Sequence, residues 1–189
     1  MLKLIIGNRA YSSWSFRGWL ACKQSGEEFE ELVVPMFDDQ WDKRREGDEF
    51  APSLGKVPIL WDGDCVVWDS LAIVEFLADR YGRDLYWPKE DAARGMARSM
   101  AAEMHSGFPN LRRELPMNVR KSFPPVDLSE GVREEIDRIL QLWAQARARL
   151  AAPATSCSAT GALPTWSTRR WSRASSPTAS ACRPSPAST

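Results

Sequence analysis

The stretch from Gly55 to Ser70 constrains the fold of this chain more than any other. It reads Gly-Lys-Val-Pro-Ile-Leu-Trp-Asp-Gly-Asp-Cys-Val-Val-Trp-Asp-Ser. An apolar strand from Ile59 to Trp61, a tight Asp62-Gly63-Asp64 turn and a second apolar strand from Val66 to Trp68 predict a hairpin. The hairpin runs straight into a helix start at Asp69-Ser70. Two features are chemical rather than architectural. Pro58 stands directly before a strand, where it lacks an N–H and is compatible with a cis bond, and it pushes Val57 to an extended conformation whose backbone groups are open to an extended peptide. At Asp69 and Ser70 the unpaired N–H groups of a first helical turn, with the positive end of the helix dipole, suit the carboxylate of an amino-acid-like ligand.

The chain has 189 residues, enough for one generous domain or two small ones with a shared interface. Its 25 basic and 25 acidic residues balance, which argues against a nucleic-acid footprint or an anionic membrane as partner. The start, Met-Leu-Lys-Leu-Ile-Ile-Gly, is too short for a signal peptide, and no apolar run approaches a membrane span. Cys22, Cys65, Cys157 and Cys182 are scattered without metal-ligand spacing, and His105 is the one histidine. A cytoplasmic, metal-free protein is expected.

Leu2 to Gly7 reads as a short buried strand, followed by a loop and a helix that ends near Gly26. Glu30 to Val34 gives a second strand, parallel to the first. Trp41 to Glu46 reads as a short helix. The hairpin follows, and then a helix from Ser70 to Tyr81 with Leu71, Val74, Leu77 and Ala78 on one stripe. This is a thioredoxin-like α/β layout over residues 1–82. Leu85-Tyr86-Trp87-Pro88 reads as a linker to an all-α domain over residues 90–150. Met96, Met100, Met104, Phe108, Leu111 and Leu115 mark one buried face there, interrupted near Gly107 by Pro109. Asp127-Leu128-Ser129-Glu130 has the form of a capping box before a last helix running to about Leu150.

From Ala151 to Thr189 the chain contains no Asp, Glu, Lys, Ile, Val, Phe, Met or Tyr. Such a segment buries too little surface to offset its ordering entropy, so residues 151–189 are expected to be a low-complexity, poorly packed tail, and the helical domain to be incomplete. The abrupt loss of every acidic residue suggests a stretch read in a shifted frame. A basic tail for an acidic partner is the alternative.

The run Gly-Lys-Val-Pro-Ile-Leu, a hairpin and Asp-Ser resembles the glutathione-binding half of the glutathione S-transferase superfamily. That resemblance implies that Val57, before a cis Pro58, pairs its backbone with the cysteinyl part of glutathione, with Lys56 beside it. It implies also that Asp69 and Ser70 hold the γ-glutamyl end. Two long helices after a thioredoxin-like half are what the superfamily places in its second domain. The second part of the resemblance is Tyr11-Ser12-Ser13-Trp14-Ser15-Phe16-Arg17. Where thioredoxin-like proteins keep a redox Cys-x-x-Cys this chain has Ser12 and Ser15, so dithiol exchange is excluded. Ser-Ser-x-Ser-x-Arg is similar to the Ser-Ser-Cys-Ser-x-Arg run of zeta-class transferases, which puts the catalytic hydroxyl on Ser12, with Ser13 as the competing position. Trp14 in place of the cysteine favours a bacterial-type branch.

A serine so placed stabilises a thiolate and is not itself a nucleophile. A free thiol has a pKa of about 8.5, and a hydroxyl donating to the sulfur favours the anion. Tyr11, Trp14, His105 and Arg112 are the candidates for the pocket of a hydrophobic electrophile. The function implied is conjugation of glutathione, as co-substrate, to such an electrophile by a homodimer. A glutathione-dependent isomerase acting on a maleylacetoacetate-type substrate and a non-catalytic interaction module are the alternatives.

Overall fold

Ile5 is the pivot of the sheet, pairing in parallel with Leu32 and antiparallel with Ile59. The computed structural model describes residues 1–150. Strands β1 (Leu2–Ile6), β2 (Phe29–Val33), β3 (Ile59–Asp62) and β4 (Cys65–Trp68) form one sheet in the order β2-β1-β3-β4. Between β1 and β2 lies helix α1 (Ser13–Ser25), which stops where Gly26 takes a left-handed conformation with φ 78°. Helix α2 (Trp41–Arg45) and a short 3₁₀ turn at Ala51–Ser53 lead to β3, and α3 (Ser70–Tyr81) follows β4.

The period-2 alternation of β1 sorts the core into two layers. Leu2, Leu4 and Ile6 face one side with Leu60, where Ala21 and Cys22 of α1 and Ile73, Val74, Leu77 and Ala78 of α3 cover them. Ile5 and Ile59 face the other side, where Val34, Trp41 and Phe50 close over them. On α3 the fully buried stripe includes Ile73, while Leu71 is only half-buried, a shift from the stripe expected in the sequence.

The stretch expected as a linker is a packed strap. Tyr86 and Trp87 are buried in the same core as the sheet, and Tyr86 donates its hydroxyl to the Ala21 carbonyl at 2.9 Å. Helix α4 (Asp91–Ser106) docks on this core through Ala97 and Ala101. The methionine stripe is therefore only partly the buried face: Met104 is buried, whereas Met96 and Met100 are half-buried. Alanines at the contact let α4 approach closely, and Arg98 ties it to α3 by two hydrogen bonds to Glu75, at 3.0 and 2.7 Å.

The break expected near Gly107 is present. Phe108 takes a left-handed conformation, and Pro109 opens α5 (Pro109–Glu114). Glu135 caps α5 from α6 (Glu130–Leu150), accepting from Asn110 N–H, the Asn110 amide and Leu111 N–H at 3.1, 3.0 and 2.7 Å. The expected capping box is replaced by a single cap. Ser129 Oγ accepts from Val132 N–H at 3.3 Å, and an apolar residue at that position cannot return the bond. The expectations for residues 151–189 lie outside the described residues.

Candidate functional site

The strand register gathers three separate turns at one edge of the sheet. β3 runs antiparallel to both β1 and β4, so Ile5, Ile59 and Trp68 lie in one row across the sheet. The loop leaving β1, the Val57-Pro58 peptide entering β3 and the Asp69-Ser70 step leaving β4 therefore emerge side by side. Helices α1 and α3 both lie on the face above that edge.

After β1 the chain folds around Asn8. Its backbone carbonyl accepts from Tyr11 and Ser12 N–H at 3.2 and 2.8 Å, and its side chain accepts from Ala10 N–H at 2.8 Å. This turn presents Ser12 as the N-cap of α1. Ser12 Oγ accepts from Ser15 N–H at 3.3 Å and lies 3.0 Å from Ser15 Oγ. Ser15 is fully buried and accepts from Gly7 N–H at 2.9 Å. Ser13 is the first helical residue, half-buried beside this chain of bonds. The loop after α5 reaches the same turn, where Val119 N–H donates to Ala10 O at 2.9 Å, and Tyr11 stands next to it, 40% exposed.

The Val57-Pro58 bond is cis. Its ring sits against Gly18 of α1, where an added Cβ would come within 2.8 Å of Pro58 Cβ. The preceding turn is fixed by the buried Ser53, whose hydroxyl donates to the Lys56 carbonyl at 2.7 Å and accepts from Lys56 N–H at 3.1 Å. The Lys56 side chain is exposed, and Val57 is half-buried with no backbone hydrogen bond among the described residues.

Asp69 has φ 76° and ψ 131°, a conformation that costs a non-glycine residue on the order of 1–3 kcal/mol. Its Oδ1 caps α3 by accepting from Leu71 N–H at 2.8 Å. Its Oδ2 lies 3.1 Å from His105 Nε2, which reaches over from α4. Ser70, the first residue of α3, is buried.

Trp14 is the centre of the remaining cluster. Its ring meets the His105 ring edge-on at 5.0 Å, the Arg17 guanidinium at 4.5 Å and the Arg112 guanidinium at 4.9 Å. Cations on an indole are favourable, more so when desolvated. Arg17 is 7% exposed, and burial pulls its guanidinium down to about 10, with the Arg112 charge acting the same way and Asp69 opposing. Burial also lowers Arg112, against the pull of Glu135. Arg112 Nε donates to the Gly107 carbonyl at 3.0 Å and its Nη2 to the Met104 carbonyl, so this side chain caps the end of α4.

The structure thus brings Ser12, Val57, Pro58, Asp69 and Ser70 to one sheet edge. Trp14, His105 and Arg112 adjoin it, and the Lys56 side chain stands apart in solvent. Ser15, Arg17 and Gly18 belong to the same assembly, although the sequence reading gives them no role. Ser15 and Arg17 were legible only as members of the Ser-Ser-x-Ser-x-Arg run, and Gly18 only as a small residue inside a helix. Among the described residues no group of three metal-type side chains could hold a metal ion, and no helix is long and apolar enough to cross a membrane.

Residues 11–80 match the family model described as glutathione S-transferase, N-terminal domain. Over 60 residues the chain is 37% identical to the dichloromethane dehalogenase of Methylophilus leisingeri, a stretch covering 32% of this chain and 22% of that protein. It is 25% identical over 121 residues to the glutathione S-transferase class-mu 26 kDa isozyme 1 of Fasciola hepatica, covering 62% of this chain and 49% of that one. The chain therefore spans half or less of the length of these curated relatives. Among solved structures it is similar to the theta class glutathione S-transferase of Xanthomonas axonopodis pv. citri with glutathione bound, at a TM-score of 0.54 and 25% identity, over 79% of this chain and 70% of that chain.

Proposed function

The chain belongs to the glutathione S-transferase superfamily through residues 11–80, and on that premise we propose that it binds glutathione and transfers its sulfur to a hydrophobic electrophile. One observation carries the reading. The row Ile5, Ile59, Trp68 brings a helix N-cap hydroxyl, a residue with open backbone groups and a helix start to the same edge. Glutathione is a short extended peptide with an amino-acid end and a thiol in the middle. In the proposed pose its cysteinyl backbone pairs with Val57 beside Lys56, its γ-glutamyl end lies on Asp69 and Ser70, and its sulfur points to Ser12.

The chemistry follows from that placement. The thiol proton leaves to solvent, and the thiolate is held by the Ser12 hydroxyl, with Ser13 the competing donor, near the positive end of α1. The sulfur then attacks the electrophile's carbon, a C–S bond forms, and the leaving group departs with its electron pair. No covalent enzyme intermediate is needed, so positioning and anion stabilisation supply the acceleration. The electrophile enters from the side of Tyr11, Trp14 and the His105–Arg112 segment. The reading extends to a detoxifying role in the cytoplasm and to a homodimer, which sedimentation at graded concentration tests.

Calorimetric titration of the chain with glutathione, beside Ser70→Ala and Ser12→Ala, tests the assignment. Binding lost in Ser70→Ala and kept in Ser12→Ala, with Ser12→Ala slow against an activated aryl chloride, is the expected result. A folded parent chain that takes up no glutathione would overturn it and leave an interaction module of the same fold.

A further inference from the structure

Asp69 is held at both oxygens, and the two holders come from different halves of the chain. Oδ1 is committed to its own helix through Leu71 N–H at 2.8 Å, and Oδ2 faces His105 Nε2 of α4 at 3.1 Å. An ionised carboxylate offers only lone pairs, so the proton between Oδ2 and the ring sits on Nε2. Nδ1 is buried and has no hydrogen-bond partner among the described residues. That is an unfavourable place for a ring nitrogen. Packing against the Trp14 edge would be served better by a phenyl ring, so the polar link made by Nε2 is what a histidine adds here.

The neighbouring charges show what the link does. Asp69 also attracts the buried Arg17, which stacks on Trp14 together with Arg112. A carboxylate free to turn toward Arg17 would have its charge neutralised inside the protein. An imidazole N–H holds it in place through one directed hydrogen bond, whereas a lysine or arginine in the same position would bring a permanent positive charge and quench it. We propose that His105 is a positioning residue for the α-ammonium of glutathione, holding Asp69 aimed at the ligand and away from Arg17. The proposal rests on the reading that Asp69 takes the γ-glutamyl end. It makes docking of α4 on the first domain a condition for full affinity.

The test compares two ligands on the full chain: glutathione and its analogue glutaryl-cysteinyl-glycine, which lacks only the α-amino group. His105→Phe keeps the contact with Trp14 and removes the donor. It is expected to weaken glutathione about tenfold while changing the analogue less than about twofold. His105→Gln, which restores an N–H donor, is expected to recover most of the loss. Glutathione affinity unchanged in His105→Phe, or an equal loss for both ligands, would overturn the proposal and leave His105 a packing residue. A parent chain that binds the two ligands equally, or binds neither, would overturn the assignment of Asp69 first and the proposal with it. That failure shows in the parent, before any variant is made.

Discussion

The hydroxyl oxygens of Ser12 and Ser15 lie 3.0 Å apart, one turn from each other at the start of α1. Either hydroxyl can supply the proton between them. Ser15 Oγ already accepts from the buried Gly7 N–H at 2.9 Å, which leaves its own proton for Ser12. When Ser15 donates to Ser12, the Ser12 proton is released toward a sulfur. The order Gly7 N–H, Ser15, Ser12, sulfur is then a chain in which each bond polarises the next.

Ser15→Ala breaks that chain in a way that separates its two roles. Gly7 N–H is left buried without an acceptor, a loss of about 1–3 kcal/mol that urea unfolding would register. The thiol pKa of bound glutathione is expected to rise, shifting the pH–rate profile to higher pH, with glutathione affinity little changed. An unmoved profile in a destabilised variant would confine Ser15 to structure.

Gly18→Ala sets helix propensity against space. Alanine inside a helix is favoured over glycine by about 1 kcal/mol. Here, however, its Cβ would come within 2.8 and 2.9 Å of Pro58 Cβ and Cγ, and a proline ring cannot rotate aside. The strain of overpacking, about 1–3 kcal/mol, is expected to win. Because the displaced group is the one that orients Val57, glutathione affinity should fall together with the unfolding midpoint. A variant more stable than the parent would show that α1 and Pro58 can separate without cost.

The contrast between Gly18 and the hairpin shows what the sequence could reveal. The hairpin, α3 and the start of α1 were legible because their signals are local: a Gly63 turn between apolar runs, a carboxylate before a helix, a serine at a cap. Face assignment on α4 was not. Its methionines have the right spacing, but the residues it adds to the core that holds the Tyr86-Trp87 strap are Ala97 and Ala101. Ser15 and Arg17 were legible as members of the Ser-Ser-x-Ser-x-Arg run, but their burial was not, for the same reason. Polar residues in a helix read as solvent-facing until the Gly7 backbone and the Trp14 ring are seen to receive them. The partner of His105 could not be read at all, since only the docking of α4 creates it.

Arg138 on α6 holds Glu103 on α4 through two hydrogen bonds, at 2.6 and 2.8 Å. These bonds keep the Glu103 carboxyl below its usual range, against a smaller opposing effect of burial. A depressed carboxyl binds fewer protons folded than unfolded, so its contribution is present above the unfolded value of about 4.3 and is lost as pH falls through the folded value. Arg138 is exposed and Glu103 partly so, and solvent screening keeps the effect small. Arg138→Ala should lower the urea midpoint slightly at neutral pH and not at all in strong acid. A difference that persists unchanged in acid would mean that Arg138 stabilises α6 by packing.

Cys22 gives the opposite dependence at the alkaline end. Its thiol is fully buried in the core between α1 and the sheet, and burial pushes it up to about 12, with Lys23 pulling weakly the other way. Between about 8.5, where a free thiol ionises, and the folded value, the unfolded chain has released a proton that the folded chain keeps. Fewer protons on the unfolded state mean that stability falls as pH rises across that window, by at most about 1.4 kcal/mol per pH unit. Cys22→Ala leaves a small cavity and so starts from a lower stability at neutral pH, but its alkaline limb should be flatter. Tyr86 is raised by burial and further by the Cys22 charge, so the difference between the two curves reports the thiol together with its coupling to Tyr86. Alkylation supplies the independent check. The exposed Cys65 should react in the native protein and Cys22 only after unfolding, and native labelling of Cys22, or parallel alkaline limbs, would place it outside the core.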